Sequence, residues 1–393
     1  MNKLTLLEIK EKPKKFGEGF CIYGELSEKV INWIDYWKLS TTKAGPYTNI
    51  DIPKEYDLKD LFEVNEPYEY IDGFSPNLNK HLHLGHISNF TIAKAFQKMG
   101  VGKSFVANLG DTLTTGTVEK EEAFSTYLDI CNKFDYHLDK IFMASELIDS
   151  SLDLKDGEGD YESTKVFELS DSKVVGVKAN GNTTYFYQDV VLAKKLNAKT
   201  LYLTGFEQEG HFKNLKELYP HINHLPLGLV LIDGKKMSSS AGNVILFSEI
   251  IDILKKSLGD DDKLIWNVLC GYILKSKPDS VKNIELKNLN NVKESQGLYL
   301  SYTLAKLKSA GLEIVKQKDF NSQSLAFKLL KAKSLLQPDI LFGALVDLAK
   351  DISSLYVKHH IKDNEDNQKM FLPLAQDLLF GMEILGMFNI DKV

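Results

Sequence analysis

The hydrophobic pattern of residues 67–250 alternates between short β-type runs and helical repeats. Tyr68–Phe74 is an aromatic and β-branched run that predicts a strand, and apolar residues at helical spacing over 87–96 predict a helix that ends at Gly100. Val101–Leu109 predicts the next strand. Alternation of strands and helices is typical of a doubly wound parallel sheet. We therefore expect an α/β domain over this region.

Several later segments extend the same pattern. Residues 120–143 predict one amphipathic helix, and residues 174–186 predict a hairpin that turns at Asn180–Gly181. Thr200–Thr204 and Leu227–Ile232 predict two buried strands with a helix between them. These elements complete the expected α/β domain.

The two ends of the chain have different patterns. Residues 1–66 are mixed and polar with several prolines, which predicts a small appended region of short elements. From Glu249 onward, apolar residues recur every three or four positions without a strong strand signal. We expect a helical connector over 251–293 and a helical bundle over 294–393. A chain of 393 residues is long enough for this division, because domains commonly have about 150 residues.

Bulk composition is that of an ordinary globular protein. The chain is 43% hydrophobic and 26% charged, which excludes the disordered and collagen-like classes. No apolar run reaches the roughly 18 to 20 residues that a membrane span needs, so we expect a cytoplasmic protein without membrane association. Cys21, Cys131 and Cys270 are widely separated, which predicts neither a zinc site nor a disulfide framework.

Arginine is absent from the sequence, and all 48 basic residues are lysines. If the charged quarter of an average composition were shared evenly, on the order of twenty arginines would be expected. Phosphate and carboxylate contacts must therefore be made by ammonium groups instead of bidentate guanidinium forks. The net charge of −6 disfavours a DNA-coating surface but allows a local lysine-lined track for a structured RNA. Drift toward A/T-rich codons is one explanation; we favour selection or engineering against arginine.

A first candidate site is the segment Ser75–His86, between a predicted strand and a predicted helix. His83 and His86 can donate hydrogen bonds to a phosphate at the helix N-terminus, where free N–H groups and the dipole favour negative charge. Gly85 permits a close approach that a Cβ would block. Taken alone, two histidines at this spacing are equally compatible with a metal site or with incidental surface residues. Their position after a strand favours phosphate binding.

A second candidate site is Asp233–Asn243, directly after the predicted strand Leu227–Ile232. Lysines, small hydroxyl residues and glycines in a loop are typical of a mobile arm that holds phosphate. Such a loop by itself is usually only solvated surface. The two segments together, each after a strand and in this order, are much more specific than either alone.

These two segments resemble the signatures of the class I aminoacyl-tRNA synthetases, with His83–His86 in the place of HIGH and Lys236–Ser240 in the place of KMSKS. Within that class the chain is similar to the arginyl-tRNA synthetases. The similarity covers roughly residues 67–393 and rests on several local patterns: Ser75-Pro76-Asn77, Lys80, Leu109-Gly110-Asp111, Tyr185–Asp189, Gly205–Phe212 and Gln296–Tyr302.

The resemblance implies a Rossmann-like doubly wound catalytic domain followed by an α-helical anticodon-binding bundle. It implies ATP-dependent ligation of arginine to tRNA(Arg) through an arginyl-adenylate, with Mg²⁺ accompanying ATP and no dedicated metal site. The partners would be tRNA(Arg) and L-arginine, and we expect a monomer. Two alternatives stay open: an enzyme of the same fold that passes activated arginine to another acceptor, and a non-catalytic tRNA-binding paralogue.

The resemblance also implies roles for individual residues. The catalytic set would be Lys80, His83, His86 and Lys236, with Lys80 replacing the second signature lysine, which is Ser240 here. ATP would be bound by His83, Gly85, His86, Gly205, Lys236, Met237 and Ser238. Arginine would be bound by Ser75, Asn77, Glu146, Tyr185, Asp189 and Gln208. Tyr185 and Asp189 would hold the guanidinium with Glu146 as second carboxylate, which suits a fork of donors.

The chain departs from the family pattern at several positions. Thr112 stands where the family has Trp. Relatives often have Arg at the positions that here hold Ser88 or Asn89, Gln188, and Ser240 or Ala241. We attribute the changes at these arginine positions to whatever removed arginine from the whole chain. A synthetase without arginine could be translated when charged arginine tRNA is scarce, or stay intact when an arginine analogue is misincorporated.

Overall fold

The structure, a computed structural model, describes residues 3–6, 20–53, 55–111, 119–236, 245–362 and 364–392. The chain divides into two compact units. The α/β unit comprises residues 67–257 and 278–290, and the helical unit comprises residues 1–66, 258–277 and 291–393. Among the described helices, none has the length and apolar character of a membrane span.

The strands and helices follow one another in chain order. The strands are β1 (Phe20–Tyr23), β2 (Ser40–Ala44), β3 (Tyr47–Asp51), β4 (Tyr68–Asp72), β5 (Gly102–Leu109), β6 (Lys140–Met143), β7 (Lys155–Asp156), β8 (Lys165–Glu168), β9 (Lys173–Val177), β10 (Thr200–Gly205), β11 (Ile222–Leu227), β12 (Val230–Ile232), β13 (Lys235–Lys236) and β14 (Lys282–Ile284). The helices are α1 (Glu28–Trp37), α2 (Leu58–Leu61), α3 (Leu84–Met99), α4 (Lys120–Lys133), α5 (Tyr185–Leu196), α6 (Glu209–Leu218), α7 (Phe247–Leu258), α8 (Asp262–Ile273), α9 (Leu286–Asn290), α10 (Gln296–Ser309), α11 (Gln323–Leu335), α12 (Pro338–Lys358) and α13 (Glu365–Ile384).

The α/β unit is built on a five-stranded parallel sheet in the order β11-β10-β4-β5-β6. The first strand of this sheet in the sequence, β4, lies at its centre, and the chain winds outward from it in both directions. Such a sheet binds ligands beyond the carboxyl ends of the strands where the winding reverses, here β4 and β10. The predicted Rossmann-like α/β class is confirmed.

The predicted helix over 120–143 is wrong at its end. Helix α4 stops at Lys133, and β6 pairs in parallel with the last four residues of β5. The reversal occurs where Phe134 and Tyr136 are buried and Asp135 takes a left-handed backbone conformation at φ 52°. A four-residue edge strand directly after a helix is too short to interrupt an amphipathic pattern in the sequence.

The predicted hairpin over 174–186 is only half formed. The turn does contain Gly181 at a positive φ of 82°, and Thr183 makes one isolated bridge to Val177. The return arm becomes a helix, because the Thr184 hydroxyl accepts a hydrogen bond from the Tyr187 N–H and caps α5. The strand partner of β9 is β8 instead.

The predicted strand Leu227–Ile232 is divided between two sheets. The main-sheet strand β11 ends at Leu227, and β12 begins at Val230 in a small sheet with β13 and β14. Gly228 lies between them, and a Cβ there would come within 2.0 Å of the Ser280 carbonyl oxygen. Strand β14, in the region predicted to be purely helical, pairs in parallel with β12.

The helical unit combines the N-terminal strands with helices from the second half of the chain. The antiparallel sheet β1-β3-β2 and helix α1 enclose Phe20, Trp33 and Phe62. Phe327 of α11 joins this core and stacks on Phe20 with 4.6 Å between ring centroids. The N-terminal region therefore shares a hydrophobic core with α11.

Candidate active site

A cavity of about 630 Å³ opens at the carboxyl ends of β4 and β10. Most of the predicted site residues line it: Ser75, Asn77, His83, Gly85, His86, Tyr185, Asp189, Gly205, Gln208 and Lys236. They come from segments that are up to about 160 positions apart in the sequence. The fold therefore brings residues of the first candidate segment, Lys236 of the second and five of the six predicted arginine-binding residues to one place.

Four predicted residues are not among those lining this cavity. Lys80 lines a neighbouring cavity of about 70 Å³, yet its positive charge helps to lower the pKa of both His83 and His86. Glu146 is exposed at the end of the 3₁₀ turn Ala144–Glu146. Met237 and Ser238 lie outside the described residues, as do Ser240 and Thr112.

The two signature histidines cap α3 with their imidazole rings. His83 Nδ1 accepts a hydrogen bond from the Gly85 N–H at 3.1 Å, and His86 Nδ1 accepts one from the His83 N–H at 3.1 Å. A neutral imidazole whose Nδ1 accepts carries its proton on Nε2. Burial lowers the pKa of His83, and burial together with the charges of His83 and Lys80 lowers the pKa of His86 to about 3. Both rings are therefore neutral Nε2–H donors at physiological pH.

The residues directly before and directly after positions 237–244 lie at this site. Lys236 lies on β13, which pairs with β12. Downstream, the Phe247 N–H donates to the Leu82 carbonyl at 2.9 Å, and Leu246 bridges His83. The described residues on either side of positions 237–244 therefore lie beside the first candidate segment.

A buried carboxylate, Asp72, lies at the end of β4 and was not predicted as a site residue. It is 6% exposed, lines the cavity, and its Oδ1 accepts a hydrogen bond from the Ser75 hydroxyl. Burial raises the pKa of Asp72 to about 7, against the opposing effect of Ser75, and the negative charge of Asp189 adds to the rise. The two carboxyl groups therefore face the same space.

Asp189 on α5 is held by two donors. Its Oδ1 accepts from Asn108 Nδ2 at 3.2 Å, and its Oδ2 lies 2.7 Å from His211 Nε2. Tyr185, one helical turn earlier, is 49% exposed and also lines the cavity. Asn108 and His211 were not predicted to have a role, although His211 belongs to the quoted segment Gly205–Phe212.

The Asn77 side chain packs against Gly110. A Cβ at Gly110 would come within 1.8 Å of Asn77 Oδ1. The Leu78 N–H donates to the Gly110 carbonyl at 2.8 Å, and the Gly110 N–H donates to the Pro76 carbonyl at 3.2 Å. These contacts place the Asn77 side chain at the carboxyl end of β5, and only glycine at position 110 leaves room for it.

Sequence comparison finds relatives in one group of enzymes, although no family model matches the chain. The chain is 28% identical over 246 residues to the arginine–tRNA ligase of Limosilactobacillus reuteri, covering 51% of this chain and 43% of the ligase. It is 26% identical over 257 residues to the ligase of Lactobacillus johnsonii, covering 53% and 46%. The matched region thus spans less than half the length of these curated relatives.

Comparison with solved structures also finds arginyl-tRNA synthetases. Arginyl-tRNA synthetase from Thermus thermophilus superposes with a TM-score of 0.64 at 14% identity, covering 98% of this chain and 96% of that chain. The enzyme from Plasmodium falciparum gives 0.64 at 17% identity, covering 96% of both chains. These likenesses show the fold, and the resemblance drawn from the sequence motifs is confirmed. The chain is a relative of the class I arginyl-tRNA synthetases and has their fold.

Proposed function

We propose that the protein is an arginine–tRNA ligase that activates arginine with ATP and transfers it to tRNA(Arg). The observation that supports this best is the composition of the cavity at β4 and β10. Histidine donors and Lys236 line it together with the carboxyl groups of Asp72 and Asp189. Donors and a cation suit the phosphates of a nucleotide, and paired carboxylates suit a guanidinium.

The nucleotide is bound at the N-terminus of α3. His83 and His86 direct Nε2–H donors to the phosphates, and Gly85 lets the nucleotide approach the helix. Lys236 contributes positive charge, and Lys80 does so from the neighbouring cavity. As pyrophosphate leaves, these fixed donors stabilise the growing phosphate charge without reorganising. Gly205, Met237 and Ser238 complete the proposed ATP set.

Mg²⁺ enters with the nucleotide in this proposal. Within the described ranges, no three His, Cys, Asp or Glu side chains are grouped so that they could hold a metal ion. Mg²⁺ is commonly bound through substrate phosphates instead of an all-protein cage. The ion would neutralise phosphate charge alongside Lys236.

Arginine is bound at the carboxylate end of the cavity. Asp189, Asp72 and Tyr185 contact the guanidinium, so that Asp72 takes the role that the sequence pattern assigned to Glu146. Asn77, Gln208 and Ser75 lie on the side of the α-amino group. The substrate carboxylate then attacks the α-phosphorus; an oxygen–phosphorus bond forms to give the adenylate, and the bond to pyrophosphate breaks.

Transfer to tRNA follows as a second step. A terminal ribose hydroxyl attacks the carbonyl carbon of the mixed anhydride, and AMP leaves. We assign anticodon binding to the helices of residues 294–393, and we expect a monomer that acts in the cytoplasm. The enzyme supplies positioning and electrostatic stabilisation without a covalent intermediate.

Charging of total tRNA with labelled amino acids, in the presence of ATP and Mg²⁺, tests the proposed function. We expect arginine alone to be attached, and His86→Ala to lower the rate by about 10²-fold or more, as loss of one preorganised donor typically does. His137→Ala is the matched control, because the His137 side chain is 79% exposed and does not line the cavity.

The same assay separates the alternatives. Absence of charging with retained tRNA binding would favour a non-catalytic paralogue. Arginine-dependent release of pyrophosphate without charging would favour a different acceptor. Equal activity of His86→Ala and the wild type would contradict the assigned role of His86.

A further inference from the structure

His211 lies near the start of α6, and its ring is fixed on three sides. Its Nε2 is 2.7 Å from Asp189 Oδ2, and its side chain is only 23% exposed. The ring meets Phe186 of α5 edge-on at 5.3 Å between centroids and Phe212 at 5.0 Å. A side chain confined in this way has one available orientation, and that orientation points at the carboxylate of Asp189.

The contact with His211 leaves Asp189 able to accept further hydrogen bonds. A carboxylate has about four lone-pair directions, and two of them are taken by Asn108 of β5 and His211 of α6. Donors on two different elements therefore fix a side chain carried by a third element, α5. The remaining lone pairs can accept from a ligand that brings its own donors.

His211 also lies close in sequence to another predicted substrate contact. Gln208 immediately precedes α6, and its side chain lines the same cavity as Asp189. The bond between His211 and Asp189 thus connects the segment that carries Gln208 to the helix that carries Asp189. Those two residues are assigned to opposite ends of the substrate arginine.

We propose that His211 is a positioning residue for arginine: it holds Asp189 in the orientation that receives the guanidinium and sets the spacing between Asp189 and Gln208. The inference rests on the proposed arginine ligase function and adds to it a residue of the cavity lining that acts through Asp189. Ligands that gain from preorganised polar groups lose affinity when those groups become mobile.

Steady-state charging by the full chain tests this inference through separate KM values for arginine, ATP and tRNA. We expect His211→Ala to raise the arginine KM about tenfold, equivalent to about 1.4 kcal/mol, with the ATP KM unchanged. His211→Gln should restore most of the loss, because its amide nitrogen can reach the position of Nε2. Thermal melting of each variant checks the fold.

His224→Gln is the matched control. His224 bonds Thr204 at 2.8 Å and stacks on Phe212 at 4.5 Å, as a second histidine of this region without a contact to Asp189. Its arginine KM should equal that of the wild type. An unchanged arginine KM in His211→Ala, or an equal rise in the KM for ATP, would overturn the role of His211. A wild type that does not charge arginine would instead overturn the proposed function.

The absence of arginine carries a second, independent inference. Lysine fills cationic positions in the interior as well as at the surface: Lys282 is 3% exposed and donates to the carbonyl oxygens of Pro278 at 2.9 Å and Ser280 at 3.2 Å. Arginine is the usual choice for interior cationic sites, because its planar group offers five donors. The exclusion therefore extends to positions where arginine would be chemically favoured.

We infer that this ligase can restart arginine charging from a state without arginyl-tRNA, because none of the 393 residues of this sequence is arginine and their incorporation needs no arginyl-tRNA. This inference rests on the proposed function. Loss of charged tRNA(Arg) would stop the synthesis of proteins that contain arginine, whereas synthesis of this chain would continue. The first copies made would then regenerate the missing substrate.

A reconstituted translation mixture that contains arginine and uncharged tRNA, but no arginyl-tRNA synthetase, tests the inference. The mixture receives mRNAs for this chain and for an arginine-containing reporter. We expect synthesis of the chain to begin at once and synthesis of the reporter to begin after a lag. A message for the variant with Lys43→Arg and Lys350→Arg, two exposed positions, should yield neither product. Synthesis of the chain without later synthesis of the reporter would overturn the inference. A charging assay with the purified chain would then show whether the proposed function fails too.

Discussion

Asp72→Asn should raise the arginine KM about 10²-fold at pH 8 and leave the ATP KM unchanged. Asp72 is 6% exposed and shares the cavity with Asp189, so the variant removes one of two buried negative charges from the guanidinium. Truncating one partner of a buried, hydrogen-bonded charge pair costs about 2 to 5 kcal/mol, and 3 kcal/mol corresponds to roughly 10²-fold. Steady-state charging kinetics measure both constants.

The same residue should make arginine recognition depend on pH. Burial raises the pKa of Asp72 to about 7, and a guanidinium prefers the ionised form. The apparent arginine affinity of the wild type should therefore fall about tenfold per pH unit below pH 7, and level off above it. Asp72→Asn should remove this contribution. The pKa of His86, lowered to about 3 mainly by burial, keeps that ring neutral over the same range.

Glu146→Gln separates the two candidates for the second carboxylate. Glu146 is exposed and is not among the residues that line the cavity, so its variant should retain the arginine KM of the wild type. The amide oxygen that Asp72→Asn introduces can still accept from the Ser75 hydroxyl, so the fold of that variant should be preserved. A large arginine KM in Glu146→Gln with a normal one in Asp72→Asn would reverse the assignment.

The sequence predicts those parts of the fold whose signal is local. β5 carries the continuous apolar run Phe105–Ala107, and the apolar positions of α3 recur at helical spacing. α3 ends before Gly100, whose positive φ of 70° favours glycine. β11 contains Asn223, His224 and Pro226 and has no such run. It is nevertheless an edge strand of the parallel sheet, because β10 pairs with it along all six residues. The neighbouring strand β10 specifies the pairing of β11, and the sequence pattern of β11 alone does not reveal this pairing.

The candidate site shows the same division between local and distant information. His83 and His86 lie within one helical turn, so their spacing and their position after a predicted strand together indicate a site. Asp72 and Asp189 line one cavity only after β4 and α5 have packed, which no local spacing encodes. The resemblance implies Glu146 as the second carboxylate, but Asp111 accepts from the Ser145 N–H and hydroxyl at 2.8 and 2.6 Å and holds the 3₁₀ turn with Glu146 exposed.

Gly297→Ala should lower the free energy of unfolding of the helical unit by about 3 kcal/mol, the upper part of the usual range for overpacking. A Cβ at position 297 would come within 1.8 Å of the Asn267 carbonyl oxygen, and α8 and α10 cross at this point. Asn267 is fully buried and cannot move aside easily, since its side chain donates to Ser301 at 2.9 Å and exchanges two hydrogen bonds with the Phe388 backbone.

Urea denaturation followed by tryptophan fluorescence measures this effect. The three tryptophans of the chain, Trp33, Trp37 and Trp266, all belong to the helical unit, so the signal reports its unfolding. Gly343→Ala is the matched control, because Gly343 is an exposed residue within α12 and a Cβ there would meet nothing within 4 Å. It should raise stability by about 0.5 to 1 kcal/mol through helix propensity. Two variants of equal stability would mean that α8 and α10 do not meet at Gly297.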